Sequence, residues 1–333
     1  MLKRSLIVVL LVSILAVACG GAEEAAPAEE AAPAEEAAPE EEAAPEEEAE
    51  EPVSVGLQAA SAGWPWYATF IETMEGRAEE NGWDLTVLGA DGDVQAQTDQ
   101  IQDLIAQGVD YLVIGPVDPV AVVPGIKAAD EAGIDVIIIG NLADPEADDY
   151  IAAARVPDDY NMGKDSAELM VEVLGGEGRI FVVEGLPGQP AVIARLEAYD
   201  DVFGETDIEI VDSQPANWDS TQAVTVTEDL LTRYPDIDGI LSMDGSMTPG
   251  IVQVVNEAGL DIPIVGLGGT ATELALVKDG SVYGTTCMSP GANSNAAADA
   301  IEALIAGESV EKVQIVESPK TTQDNADDCP GDW

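Results

Sequence analysis

The sequence contains no histidine among its 333 residues. This absence excludes Ser-His-Asp and Cys-His catalysis, and it excludes zinc sites with histidine ligands. Basic residues are scarce as well, because 12 Lys and Arg stand against 65 Asp and Glu, a formal net charge of −53. A protein that binds nucleic acid needs a basic surface for the phosphates, so nucleic acid is excluded as a partner.

The first 19 residues have the layout of a secretory signal. Lys3 and Arg4 precede an apolar run at residues 6–18, which ends in small residues. The run is short for a membrane-spanning helix, which needs about 20 residues. Cys19 directly follows, and this arrangement resembles the bacterial lipobox, in which the cysteine carries lipid. We therefore predict a signal peptide at residues 1–18 and a lipid anchor at Cys19 that holds the protein outside the cytoplasmic membrane. An ordinary signal peptide and a membrane helix are the alternatives.

Residues 19–52 form a segment of very simple composition. After Cys19 this segment is almost entirely Ala, Glu and Pro, so it has little to bury and its like charges repel. We predict an extended tether, with a charged helix that has no partner as the alternative. Residues 53–333 keep 10 basic and 51 acidic side chains, a formal net charge of 10 − 51 = −41. We hypothesise that this acidic body is an adaptation to high salt, where screening by ions relieves the repulsion between like charges.

Strand-like and helix-like segments alternate along residues 53–316. Continuous apolar runs such as residues 136–139 indicate strands that are buried on both faces. Another strand is predicted at residues 150–154. Strand–helix alternation predicts parallel, doubly wound sheets, and ten or more strands exceed what one such sheet usually holds. We therefore predict an α/β fold with two lobes, in which a ligand lies beyond the carboxyl ends of the strands.

Motifs at the predicted strand ends resemble a known family. They are Pro65-Trp66-Tyr67 and the segments at residues 108–116, 214–219 and 235–240. In their order and spacing the chain resembles the type I periplasmic substrate-binding proteins of the ribose- and galactose-binding cluster, which serve ABC transporters. The resemblance covers essentially all of residues 53–316.

The resemblance implies two doubly wound lobes joined by a three-segment hinge that closes on a ligand. Lobe 1 would comprise residues 53–157 plus 289–317. Lobe 2 would comprise residues 158–288 plus 318–333. The chain would cross near residues 156–158, near 288–290 and near 317. A monomer is expected.

The resemblance also implies a binding site. The family stacks a sugar ring between aromatic side chains at the positions of Trp66, Tyr67 and Trp218, and these faces suit the C–H side of a sugar. Its arginine for ring and hydroxyl oxygens falls on Arg195, and its polar residue after the 240–242 strand falls on Asp244. The further ligand-binding residues that we predict are Trp64, Asn141, Arg155 and Met288.

The chain departs from the family pattern at several polar positions. Gly115, Gly140, Gly268 and Met288 stand where the family carries polar or charged side chains, and Trp64 replaces a smaller polar residue. These departures predict a roomier, less polar pocket than a pentose or hexose site. A deoxy sugar, a polyol, a glycoside or a non-sugar with an aromatic ring would fit such a pocket.

Cys287 and Cys329 are the two cysteines that remain if Cys19 carries lipid. An even pair in an oxidising compartment predicts a disulfide between them, with two free thiols as the alternative.

The sequence thus predicts an extracytoplasmic lipoprotein that captures a small neutral solute, a sugar or polyol, and delivers it to an ABC permease. No covalent chemistry, cofactor or metal is predicted, so the chain is not expected to be an enzyme. One alternative is a sensor that presents a signal molecule to a receptor without transport. The other is an α/β enzyme with a pair of catalytic carboxylates, although Asp244 is the one acidic residue predicted in the cleft.

Overall fold

The computed structural model describes residues 52–333. The signal peptide, Cys19 and the tether that are predicted for the preceding residues lie outside the described part. Within residues 52–333, no helix combines the length and the apolar character that crossing a membrane requires.

Strands and helices alternate along the described chain. The strands are β1 (Ser54–Ala59), β2 (Asp84–Gly89), β3 (Tyr111–Ile114), β4 (Asp135–Ile139), β5 (Ala153–Pro157), β6 (Glu177–Glu184), β7 (Asp207–Pro215), β8 (Gly239–Ser242), β9 (Ile264–Val265), β10 (Gly284–Thr286), β11 (Val313–Val316) and β12 (Lys320–Thr322). The helices are α1 (Pro65–Asn81), α2 (Val94–Gln107), α3 (Val123–Glu131), α4 (Asp159–Leu174), α5 (Pro190–Phe203), α6 (Ser220–Arg233), α7 (Thr248–Ala258), α8 (Ala271–Asp279) and α9 (Pro290–Ile305), with a 3₁₀ helix at Pro145–Tyr150.

The strands form two sheets of six. The first has the order β11-β5-β4-β3-β1-β2 and is parallel throughout. The second has the order β12-β10-β9-β8-β6-β7 and is parallel except for β12, which runs antiparallel to β10. The central strands β3, β4 and β8 are buried along all or nearly all of their length, as their continuous apolar runs predict. The predicted fold of two doubly wound α/β lobes is confirmed.

The chain passes between the two sheets three times. It leaves the first sheet after β5 and enters the second at β6. It returns between β10 and α9, which packs against α1 and β5 of the first sheet. It crosses last between β11 and β12. Three segments of the chain therefore connect the two lobes.

Two elements differ from the pattern read in the sequence. The strand predicted at residues 150–154 begins later, at Ala153, because Asp144 caps a 3₁₀ helix that runs to Tyr150. The edge strand β12 is not predicted, since its sequence Lys-Thr-Thr is short and polar and its pairing with β10 is a long-range contact.

Aspartates fix the start of several helices at the carboxyl ends of the strands. Asp93, Asp158 and Asp219 each accept a hydrogen bond from a backbone amide in the first turn of α2, α4 and α6. Since the preceding strands are parallel, these loops lie at the same end of each sheet, where a ligand site is expected.

Candidate functional site

A cavity lies between the two lobes at the carboxyl ends of the strands, and we call it the interlobe cavity. The unfilled space between its lining atoms is ≈ 520 Å³, including its opening to solvent. Its lining residues are Trp64, Pro65, Trp66, Tyr67, Gly140, Asn141, Pro157, Asp159, Gln189, Ala191, Arg195, Trp218, Asp244, Ser246, Met288 and Trp333. Of the nine predicted ligand-binding residues, the structure places all but Arg155 around this cavity.

The aromatic wall on the first lobe is built at the start of α1. Pro65 begins the helix, since its fixed φ suits the first helical position. Trp66 and Tyr67 follow in the first turn, edge to face with ring centroids 4.9 Å apart, and Trp66 stacks on Phe70 at 5.4 Å. Trp64 lies 6.3 Å from Tyr67. Three aromatic side chains thus reach the cavity from one short segment.

Trp218 forms the facing aromatic wall and has an unusual backbone. Its φ is +62°, and that of Asn217 is +54°, a region that large side chains rarely adopt. The indole Nε1 donates to Oε1 of Gln189 at 2.7 Å, and Arg195 lies 5.6 Å from the ring centroid. The ring also covers Gly185, where a Cβ would lie 1.9 Å from Cη2 of Trp218. Backbone strain held in place by such contacts is typical of functional sites.

Arg195 is a buried cation that makes three hydrogen bonds to protein groups. Its Nε and Nη2 donate to Oδ1 of Asp159 at 3.1 and 2.7 Å, and its Nη1 donates to the carbonyl of Met243 at 2.6 Å. Gly163 makes this pairing possible, since a Cβ there would lie 2.8 Å from Cα of Arg195. The close approach of α4 and α5 brings Asp159, one turn earlier, against the guanidinium. Burial raises the pKa of Asp159, and the charge of Arg195 opposes that rise.

Asp244 presents a second carboxylate to the cavity. Its Oδ1 accepts from the amide of Ser246 at 2.9 Å and from the Ser246 hydroxyl. Both of these hydrogen bonds are to Oδ1, and no bond to Oδ2 is present within residues 52–333. Burial raises the pKa of Asp244, while the Ser246 hydrogen bonds and the charge of Arg195 lower it.

Tyr67 occupies space that two glycines leave open. A Cβ at Gly115 or Gly140 would lie 2.4 or 2.8 Å from the phenol oxygen of Tyr67. The phenol therefore fills space that glycine leaves at these two positions. The Tyr67 hydroxyl and Nε1 of Trp66 are buried and have no hydrogen-bond partner within residues 52–333. Burial raises the pKa of Tyr67, and the charge of Asp159 adds to that rise.

Asn141 joins the two lobes directly. Its Oδ1 accepts from the backbone amide of Ala191 at 3.2 Å, in the first turn of α5. Its Nδ2 donates weakly to the carbonyl of Pro116 at 3.4 Å. The side chain therefore lines the cavity and also supplies a contact that exists only when the lobes lie together.

Arg155 does not line the interlobe cavity, which corrects the prediction for this residue. It lies on β5, and its Nη1 donates to the carbonyls of Ala154 and Glu311 at 2.7 and 3.0 Å. Pro157, at the carboxyl end of β5, lines the cavity, whereas Arg155 lies two residues further from that end and its guanidinium reaches the segment before β11. Its role in the structure is to connect β5 to that segment.

Glu273 is a buried carboxylate beneath the loop that follows β9. Its Oε2 accepts from the amide of Gly269 at 2.8 Å and from the Thr285 hydroxyl at 2.7 Å, and its Oε1 accepts from the Thr248 hydroxyl at 2.6 Å. Burial raises the pKa of Glu273 against the effect of these hydrogen bonds. The carboxylate fixes the position of the loop next to the cavity.

Several lining residues were not predicted from the sequence, including Asp159, Gln189, Ser246 and Trp333. Asp159 directly follows the first crossing between the lobes, so its position was a usable signal.

Trp333 lies near a disulfide that joins Cys287 and Cys329, with an S–S distance of 2.01 Å. Within residues 52–333, no three His, Cys, Asp or Glu side chains are grouped so that they could hold a metal ion.

This chain matches the family model described as a periplasmic binding protein domain over residues 55–309. It is 27% identical to the ribose import binding protein RbsB of Bacillus subtilis (strain 168), over 78% of this chain and 84% of that protein. It is 31% identical to a xylitol-binding protein of Mycolicibacterium smegmatis, over 77% of this chain and 73% of that protein.

A solved structure of a sugar-binding protein is also similar to this chain. The periplasmic binding protein of the arabinose ABC transporter from Shewanella sp. ANA-3, bound to L-arabinofuranose, superposes with a TM-score of 0.77 at 26% identity. The match covers 83% of this chain and 93% of that chain. On the family model, these relatives and the two-lobed fold, the chain belongs to the periplasmic binding protein family.

Proposed function

We propose that this protein captures one small uncharged sugar or polyol in the interlobe cavity and delivers it to an ABC importer. The observation that carries the proposal is the set of five aromatic side chains around a single cavity that also holds an Arg–Asp pair and a second aspartate. Aromatic faces suit the C–H surface of such a solute, and the polar groups suit its hydroxyls. The relatives named for ribose, xylitol and arabinose support this ligand class.

The charges of the site favour a neutral ligand over an anion. The Arg195 guanidinium uses three of its five N–H groups on Asp159 and the Met243 carbonyl, and the Asp159 carboxylate already balances its charge. Asp244 adds a negative charge whose free oxygen accepts from a hydroxyl.

Hydroxyl groups on the ligand would also satisfy polar atoms that have no other partner. The Tyr67 hydroxyl and Nε1 of Trp66 are buried without a hydrogen bond, which costs about 1–3 kcal/mol for each group. A ligand that accepts from these donors would recover part of that free energy. This need for partners disfavours ligands without oxygen atoms at those positions.

The placement of the protein follows from its family and from its N-terminal residues. Periplasmic binding proteins act outside the cytoplasmic membrane. We propose further that acyl chains on Cys19 anchor the body through the acidic tether. Metabolic labelling with palmitate should label the wild-type chain and leave Cys19→Ala unlabelled, and equal labelling of both would contradict the anchor.

The ligand class is tested by titrating purified protein with D-ribose, L-arabinose, D-allose, xylitol and myo-inositol. Tryptophan fluorescence and melting temperature report binding, since four tryptophans line the cavity. At least one ligand is expected to change both signals. If none does, and mass spectrometry of the native protein finds no carried sugar or polyol, the proposal is overturned.

Tyr67→Phe sharpens this test, with Tyr150→Phe as its control outside the cavity. We expect Tyr67→Phe to weaken binding of a hydroxylated ligand about tenfold, the effect of about 1.4 kcal/mol, without lowering the melting temperature. Tyr150→Phe should leave affinity unchanged. Equal affinities in all three proteins would show that the Tyr67 hydroxyl does not serve the ligand.

A further inference from the structure

The tail at residues 323–333 reaches the interlobe cavity and supplies one of its walls. Its indole, Trp333, lines the cavity although it lies 45 residues beyond Met288, the nearest lining residue in sequence. Among the contacts that hold the tail, a disulfide and a set of hydrogen bonds at its end lie close to the second crossing between the lobes.

The first of these contacts is covalent. The disulfide joins Cys329 of the tail to Cys287, directly after β10. Gly269 makes room for it, since a Cβ there would lie 3.1 Å from Sγ of Cys329 and 3.2 Å from Cα of Cys287. The φ of Gly269 is +74°, so any other residue would also be strained. The loop after β9 is thus shaped to accept the disulfide.

The second is the set of hydrogen bonds at the end of the tail. Oδ2 of Asp332 accepts from the Ser289 hydroxyl at 2.6 Å and from the Gly291 amide at 3.1 Å, at the start of α9. The carbonyl of Trp333 accepts from the Ala271 amide at 3.0 Å. These contacts connect the tail to helices that pack on different sheets.

The indole itself is held by its N–H. Nε1 of Trp333 donates to the carbonyls of Gly268 and Met288 at 3.2 and 3.1 Å. A Cβ at Gly268 would lie 2.7 Å from Cζ2 of Trp333, so the ring occupies the space of a side chain at that position. Because the only polar atom of the indole is already used, the ring offers carbon atoms to the cavity.

We propose that Trp333 is a specificity-determining residue of the ligand site, held there by the disulfide and by Asp332. Its apolar surface selects a ligand that presents C–H or methyl groups on that side, such as a deoxy sugar. A hydroxyl turned toward the indole would lose its hydrogen bonds to water without replacement. This inference rests on the proposed function, because it concerns the choice among sugars and polyols.

The ligand experiment compares matched pairs that differ by one hydroxyl: D-fucose with D-galactose, L-rhamnose with L-mannose, and 2-deoxy-D-ribose with D-ribose. Wild-type protein is expected to prefer the deoxy member of at least one pair. Trp333→Ala should raise the dissociation constant of the preferred member roughly tenfold or more and reduce the preference. Trp83→Phe, which changes a tryptophan outside the cavity, should leave both unchanged. An unchanged preference in Trp333→Ala would overturn the assignment.

Hydrogen exchange without ligand tests the anchoring separately. In the double variant Cys287→Ala/Cys329→Ala the amide of Ala271, which donates to Trp333, should exchange faster than in wild type. Equal exchange would show that the disulfide does not hold the tail. If wild-type protein binds no sugar of the panel, the proposed function and the selectivity of Trp333 both fail, whereas exchange still decides whether the tail is docked. If sugars bind but Trp333→Ala behaves as wild type, the inference alone fails.

Discussion

Substitution of Gly185 by alanine should disable the aromatic wall formed by Trp218. A Cβ at position 185 would lie 1.9, 2.0 and 2.2 Å from Cη2, Cζ2 and Cζ3 of Trp218, far inside van der Waals contact. The φ of Gly185 lies outside the left-handed region, so alanine itself suits the backbone. The indole must therefore move.

The size of the effect follows from the aromatic surface that the ligand would lose when the indole moves. Loss of one buried aromatic anchor at a binding site costs about 2 kcal/mol, which corresponds to an increase of about 30-fold in the dissociation constant. The indole also gives up its hydrogen bond to Gln189 and its contact with Arg195, so the wall is not held in a new position by the same partners.

Isothermal titration of the best ligand found for the wild-type protein measures this change. Gly63→Ala is the matched control, because it also lies in a loop beside the cavity, but its Cβ would meet only Oγ of Ser61 at 3.7 Å. We expect wild-type affinity for Gly63→Ala and a blue or red shift of tryptophan emission for Gly185→Ala alone. Wild-type affinity and emission in Gly185→Ala would refute the idea that Trp218 contributes to binding from this position.

Three further changes test other parts of the structure. Replacing Cys287 and Cys329 by alanine should lower the free energy of unfolding in denaturant by about 4 kcal/mol, from the entropy of a loop with a separation of 42 residues, and an unchanged midpoint would contradict this. Glu273 has a raised pKa in the folded state, so the folded chain binds its proton more tightly than the unfolded chain. Stability should therefore rise as pH falls through the folded pKa and level off below about 4.3, and Glu273→Gln should lose part of that rise in melting temperature. Asn141→Ala removes the acceptor for the Ala191 amide, a loss of about 1 kcal/mol, so fluorescence titration should show about fivefold weaker binding without a loss of melting temperature; equal affinity would argue against a role in closure.

Local patterns in the sequence were sufficient to predict the architecture. Apolar runs such as residues 136–139 reflect burial on both faces of a parallel strand, and this burial is a property of the strand itself. Helix starts such as Asp219 reflect a hydrogen bond that closes within one turn. The two-lobed arrangement follows from the number and order of these elements.

The candidate site was predicted from a resemblance whose residues lie in, or just beyond, the loops at the strand ends. Asn141 and Asp244 lie in such loops, Trp66 and Tyr67 lie in the first turn of α1, and all four line the cavity. Arg155 lies within β5, two residues before the cavity-lining Pro157, and its guanidinium donates to the backbone of the segment before β11 instead.

The sequence by itself determined the strand–helix order, the strand-end loops that carry the aromatic side chains, and the acidic character of the body, because each depends on residues close together in the chain. Only the tertiary structure decided which side chains fill the space beside the glycines of the cavity. The Tyr67 phenol fills the space over Gly140, and the Trp333 indole fills that at Gly268, 65 residues away. Occupancy of that space depends on how distant segments pack, and neither periodicity nor spacing along the chain encodes such contacts.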